Sequence, residues 1–173
     1  METTKLKEEN NVATNVNLKK EKAEADAIVQ DAFNRTHRFL LFELEKEQYG
    51  IDISYVLEII GIQEITYLPG MPRFVKGLIN LRGKIIPVIV AREKFNKQKA
   101  IYNDRTCIIV LELEGIMVGL VVDMISDVIT VSESILEEAP KIGKIKTNKY
   151  ISNIAKMSDG VKLLVDCEKL INE

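Results

Sequence analysis

The side chains that most often carry chemistry are sparse and scattered in this chain. Its one histidine, His37, has no second imidazole and no nearby thiol with which to hold a metal ion or relay a proton. Cys107 and Cys167 stand sixty positions apart, which makes neither a CxxC redox pair nor a zinc cluster. Both lie among apolar residues and are expected to pack as small hydrophobes. The run from Gly77 to Lys84 has the outline of a phosphate-binding loop. It carries five residues between its glycines where that loop needs four, and Ile85 where a magnesium-binding Ser or Thr must stand. Asp123 and Asp127 would share a face if their segment were helical, and with no metal partner they are expected to be solvated. HExxH and GxSxG motifs are absent. These residues predict a protein with no catalytic site, no cofactor and no metal.

Composition narrows the remaining classes. The 173 residues are 46% hydrophobic and 29% charged, the balance of a folded globular chain. Twenty-four basic residues against 26 acidic ones leave a net charge of −2, too even for a phosphate-backbone binder. Five Phe and five Tyr, with no Trp, show no clustering with basic residues, so a base-stacking face is not expected. No apolar run approaches the ~20 residues of a membrane span, and METTKLKEENN lacks the apolar core of a secretory signal. A cytoplasmic location without membrane insertion is expected.

The elements that must position any site divide near residue 38. Residues 1–37 hold no Gly or Pro and read as a flexible arm, partly helical over 19–33, where Ala25, Ile28, Val29 and Ala32 repeat at helical spacing. All nine glycines and all four prolines follow residue 49. From there the chain reads as short strands cut by turns: 39–44, then Tyr49, Ile51 and Ile53 in alternation, a helical turn or strand over 54–60, and strands at 66–68, 74–81 and 84–90. The pair 106–113 and 116–124 is joined at Glu114-Gly115, a hairpin turn suited to positive φ. Strands at 128–131, 150–157 and 161–166 precede a closing helix at 167–171. No segment is long enough for a βαβ crossover, so an all-β fold with short helices is expected.

An internal repeat refines this. Displaced by 69 residues, FELEKEQYGIDISYVLEII (42–60) lies over LELEGIMVGLVVDMISDVI (111–129), matching Gly50 with Gly119, Glu58 with Asp127 and Ile60 with Ile129. Displaced by 75, VIVAREKF (88–95) lies over LLVDCEKL (163–170). Gly50 and Gly119 fall in mid-strand, where a bend or bulge would curl a small sheet. Each half has roughly 65 residues, barely enough for a core of its own. Two barrels packed as one body over 38–173 are therefore expected, divided near residues 96–105 with exchange of terminal segments, and with a partner-binding groove where they meet. Such a pair of barrels is read as a binding module for another protein or, in the alternative, a nucleic acid.

YGIDI (49–53), KGLINLRGKIIPVI (76–89) and VGLVVDMISDVI (118–129), in this order, resemble the CheW family of chemotaxis adaptors, and the likeness runs over residues 39–171. It implies two five-stranded SH3-like β-barrels related by a repeat, with no catalytic activity. It also implies two partners, the cytoplasmic tip of chemoreceptors and the CheW-like regulatory domain of the histidine kinase CheA. Carried over by motif, Arg82 and Glu58 are expected at the receptor, with Val56, Ile108 and Val128 lining the groove. Leu41, Glu43, Tyr49 and Ile51 are expected at the kinase, and Gly50, Gly77, Gly83 and Gly119 are structural glycines. CheW-like domains also occur fused to kinase or receiver modules; the short flanks here favour a free adaptor recruited to membrane-associated receptor arrays. One departure stands out: Val90-Ala91-Arg92 replaces the family's Asp-Leu-Arg.

Overall fold

A computed structural model describes residues 22, 24–28, 30, 35–140 and 148–173. Of the helix expected over 19–33, residues 22, 24–28 and 30 are helical, and the others lie outside the described residues. Two compact units are present: residues 1–36 with 132–134, and a body of His37–Val131 with Ile135–Glu173. The body carries the β-structure and is described below.

Its strands are β1 (Thr36–Leu44), β2 (Glu47–Asp52), β3 (Val56–Gly61), β4 (Val75–Leu81), β5 (Lys84–Val90), β6 (Cys107–Leu113), β7 (Ile116–Val122), β8 (Met124–Ser132), β9 (Leu136–Glu138), β10 (Ile151–Met157) and β11 (Gly160–Val165). Two short helices, α1 (Ala91–Lys94) and α2 (Cys167–Asn172), end the halves. The strands form a six-stranded sheet, β8-β1-β2-β11-β10-β9, and a five-stranded sheet, β3-β6-β7-β5-β4. The sixth strand of the larger sheet is the three-residue β9. The strand expected at 66–68 is reduced to one bridge, Thr66 to Leu78, because Pro69 and Gly70 end any extension.

The sheets do not follow the halves. In the six-stranded sheet, β1 and β2 of the first half lie between β8 and β11 of the second. In the five-stranded sheet, β6 and β7 of the second half lie between β3 and β5 of the first. The joins between β2 and β11 and between β7 and β5 are parallel, the others antiparallel where register is defined. Gly50 sits opposite Leu164 at one parallel join and Gly119 opposite Val88 at the other.

That placement corrects the role expected of these two glycines. Neither adopts positive φ, and the register irregularities fall elsewhere, at 56/58, 75/77 and 151/153. A Cβ on Gly50 would stand 2.8 Å from Leu164 Cδ2, and one on Gly119 would stand 2.9 Å from Ile108 Cγ2. Both are glycine because a neighbouring side chain fills the place of their own, not because the strand bends.

The largest core lies between the sheets. Leu40, Phe42, Leu44 and Ile51 from one sheet meet Ile109, Leu111, Leu120 and Val122 from the other. The opposite face of the five-stranded sheet buries Ile79, Ile86, Val88, Ile108, Val110 and Val121, and that of the six-stranded sheet buries Phe39, Val131, Ala155 and Leu164. Central strands are thus covered on both sides, which is why FLLF and CIIVL read as continuous apolar runs rather than alternating ones. This core fills the space between the two sheets.

Candidate functional site

Arg82 and Gly83 form the two-residue turn between β4 and β5, with φ of 53° and 87°. Left-handed φ at both positions is the type I′ turn, whose twist matches that of the flanking strands. From this turn the Arg82 guanidinium reaches β3 and grips Glu58, Nη1 donating to Oε1 at 2.9 Å and Nη2 to Oε2 at 2.8 Å. β3 and β4 are the two edges of the five-stranded sheet, so the fork joins β3 to the hairpin that carries the opposite edge. The Arg82 side chain remains 78% exposed and that of Glu58 only 20%. At such exposure the pair adds little stability, about 0–1 kcal/mol. It does fix a cation at the surface, with donors left over for an incoming acceptor. Leu57 and Ile59, on either side of Glu58 in the edge strand, are both exposed. Sequence reasoning did not single them out, because their burial depends on whether β3 lies inside a sheet or at its edge.

A second polar constellation was also missed. Arg92 of α1 donates from Nε to Asp123 Oδ1 at 2.7 Å and from Nη2 to Oδ2 at 2.5 Å. Asp123 Oδ2 also accepts the backbone N–H of Glu45 at 2.7 Å, and the Asp123 N–H reaches Glu43 O at 3.2 Å. The carboxylate therefore ties α1 and the β7–β8 junction to the β1–β2 turn of the other sheet. Its hydrogen bonds hold the Arg92 pKa above its ordinary value. The expectation of a solvated Asp123–Asp127 helical face is overturned: the segment is extended, and Asp123 is engaged on three sides. Nearby, Lys97 Nζ lies 2.7 Å from Glu47 Oε2, and Tyr49 Oη donates to the same oxygen at 2.6 Å. These contacts, Lys97 first, hold the Glu47 carboxyl below its ordinary pKa. Burial, and then the Glu47 bond, push the Tyr49 phenol up.

Among the described residues no group of three or more His, Cys, Asp or Glu side chains is placed to hold a metal ion. Burial pushes the Cys167 thiol up to about 12 and raises that of Cys107 as well. No described helix is long and apolar enough to cross a membrane.

Comparison with known proteins agrees with this architecture. The family model described as the CheW-like domain matches residues 38–173. The chain belongs to the CheW family. It is 39% identical to the chemotaxis protein CheW of Klebsiella aerogenes, over 78% of this chain and 81% of that one. To the Bacillus subtilis chemotaxis protein CheW it is 32% identical, over 79% and 87%. The crystal structure of the scaffolding protein TtCheW from Thermoanaerobacter tengcongensis superposes with a TM-score of 0.71 at 36% identity, covering 76% of this chain and 90% of that one.

The CheW-family motifs place the expected contact residues unevenly. Arg82 and Glu58 are brought together. Val56, at the start of β3, is half-buried against the inter-sheet core, and Val128 on β8 is exposed. Ile108 is fully buried beneath the five-stranded sheet, so its side chain lines no groove and that role is withdrawn. Leu41, Tyr49 and Ile51 are buried in the same way and present no side-chain surface to a kinase. Strands covered on both faces leave no outward position, which the alternation expected for an exposed edge could not anticipate. Glu43 is half-buried and accepts from Ser126 Oγ at 3.2 Å and Gln48 Nε2 at 3.4 Å. Gly77 (φ 150°) and Gly83 (φ 87°) hold backbone conformations that side chains disfavour.

The family's Asp-Leu-Arg departure also has a local consequence. The repeat aligns Ala91 with Asp166, whose carboxylate accepts the Lys169 N–H at 3.1 Å and caps α2. α1 has no side-chain cap, and Ala91 is wholly buried. Arg92, which the replacement retains, anchors α1 through Asp123 instead.

Proposed function

We propose that this chain is a non-enzymatic adaptor of chemotaxis, coupling the cytoplasmic tips of chemoreceptors to the histidine kinase CheA. It acts in the cytoplasm and is recruited to membrane-associated receptor arrays. The observation that carries this reading is the preformed Arg82–Glu58 fork on the edge of the five-stranded sheet, flanked by the exposed Leu57 and Ile59. An oriented guanidinium suits a helical surface that presents carboxylates or carbonyls, and the exposed Leu57 and Ile59 add apolar area on the same edge strand. Val56 and Val128 extend the receptor contact. For the kinase, Glu43 keeps its candidacy, since of the four residues its side chain alone is not buried. The two contacts influence one another as a coupling free energy, and no covalent bond is made or broken.

Co-sedimentation with a chemoreceptor cytoplasmic fragment and CheA tests the reading. Arg82→Glu places a carboxylate against Glu58 and the incoming surface. It is expected to abolish sedimentation with the receptor fragment while the circular dichroism spectrum stays unchanged. Undiminished receptor binding by a folded Arg82→Glu protein would refute the assignment of this edge.

A further inference from the structure

Arg82 stands where an L-residue is uncommon. A non-glycine residue at left-handed φ carries roughly 1–2 kcal/mol of steric cost, and Asn, Asp or Gly ordinarily take the first position of a type I′ turn. Glu114 takes the same place in the β6–β7 turn at φ of 50°; what sets Arg82 apart is a side chain that fastens its turn. Two residues upstream, Asn80 Oδ1 accepts the backbone N–H of Gly83 at 2.8 Å. That amide belongs to the second turn position, and the ladder pairs Leu81 with Lys84 across it without using it. The side chain of β4 thus fastens the far side of the turn while Glu58 fastens the guanidinium. Arg82 is held at both ends, by its backbone neighbour and by its own head group.

We infer that Asn80 is a positioning residue for Arg82: its acceptor oxygen keeps the turn in the conformation from which the guanidinium is aimed at a partner. The second half of the chain supports this by contrast. The hairpin of the second half pairs Met157 with Gly160 as this one pairs Leu81 with Lys84, which sets Asn80 against Lys156, Arg82 against Ser158 and Gly83 against Asp159, and the repeat aligns Glu58 with Asp127. There the acceptor and the guanidinium are both missing, and Asp127 Oδ1 accepts its neighbour's N–H, from Val128 at 2.7 Å. The copy that lost the arginine also lacks the asparagine, as a pair with one purpose would. Free of the Asn80 bond, the turn samples other conformations, and each binding event must first restore the one that presents Arg82.

The inference rests on the receptor reading above, and a double-mutant cycle separates the two. Affinity of the full chain for a chemoreceptor cytoplasmic fragment is measured for the wild type, Asn80→Ala, Asn80→Asp, Arg82→Ala and the Asn80→Ala/Arg82→Ala pair. Losing one hydrogen-bonded restraint is expected to weaken binding about five- to tenfold in Asn80→Ala. Asn80→Asp, which keeps the acceptor, is expected to restore it. In the Arg82→Ala background, Asn80→Ala is expected to change nothing further. A purely structural role would lower the thermal midpoint of Asn80→Ala equally in both backgrounds and leave affinity unmoved, which overturns the inference. Equal additional losses in the two backgrounds overturn it as well, by giving Asn80 a contact of its own. If Arg82→Ala itself binds as the wild type does, the receptor reading fails, and the inference about Asn80 falls with it.

Discussion

At the scale of single residues, the charged groups of this protein divide by what their partners allow. Arg82 spends two of its donors on Glu58 and stays open to solvent, whereas Arg92 and Lys97 spend theirs on the carboxylates of Asp123, Glu47 and Glu45. The second set fastens structure, and Glu47 makes that measurable. Its folded-state pKa lies below the ordinary value of 4.5, so its ionised form adds stability at pH above 4.5. That contribution fades as pH falls through the lowered folded value. Glu47→Gln is therefore expected to flatten the acid limb of the stability curve below pH 4.5, measured as urea midpoints across pH, and to be less stable than the wild type near neutrality. An unchanged acid limb would mean that the Lys97–Glu47 contact does not persist in solution. Arg82 was legible in the sequence because it sits in the INLRG run, and Glu58 because it stands near the end of YGIDISYVLEI (49–59), the stretch that opens the family likeness. The Arg92–Asp123 pair was not, since nothing in a local window announces that a carboxylate 31 residues away will turn toward α1.

At the scale of elements, hairpins were the most readable feature and strand faces the least. Glu114-Gly115 forms the expected positive-φ turn, with φ of 50° and 83°, and Gly115 is the residue that made it readable, since glycine takes that backbone without steric cost. Faces failed for Leu41 and Ile108, because a strand buried on both sides carries no alternation to read, whereas Tyr49 and Ile51 do alternate and their shared face lies in the core between the sheets. The β3–β4 connection shows what a turn-forming residue does beyond local geometry. Thr66 and Leu78 exchange both N–H···O bonds at 2.8 Å and lace the middle of residues 62–74 to β4. Gly77 makes room for it: a Cβ there would lie 2.2 Å from Thr66 O, at φ of 150°. Gly77→Ala must push the connection away or twist β4, and a cost of about 2–4 kcal/mol is expected. Gly83→Ala meets no atom within 4 Å and should cost only about 1 kcal/mol, for its left-handed backbone alone. Chemical denaturation of the two variants gives the comparison, and equal losses would show that the Thr66 bridge does not constrain Gly77.

At the scale of the whole molecule, the repeat was visible in the sequence, while the lending of strands between its halves was not. Local pattern fixes which residues are extended, not which distant strand they will pair with. The lending has a mechanical result. Residues 38–100 alone would supply β1 and β2 without β8 or β11 beside them, and residues 101–173 would supply β6 and β7 without β3 or β5. Each fragment would expose a two-stranded ribbon whose flanks are apolar and unpaired, a form that is marginal at best in water. Separately expressed, the fragments are expected to lack a β-sheet circular dichroism signal and to regain it on mixing. A fragment that folds by itself would show that the borrowed strands are dispensable.

The same lending bears on how such a molecule came to be. A half-length forebear, encoded once, would have had no cousin strands within its own chain to complete its sheet. It would have found them only in a sister molecule, each giving an arm and taking one in return. Fusing two such genes end to end would turn that embrace between siblings into a single polypeptide. Either side would then be free to carry an arginine fork that the other lacks.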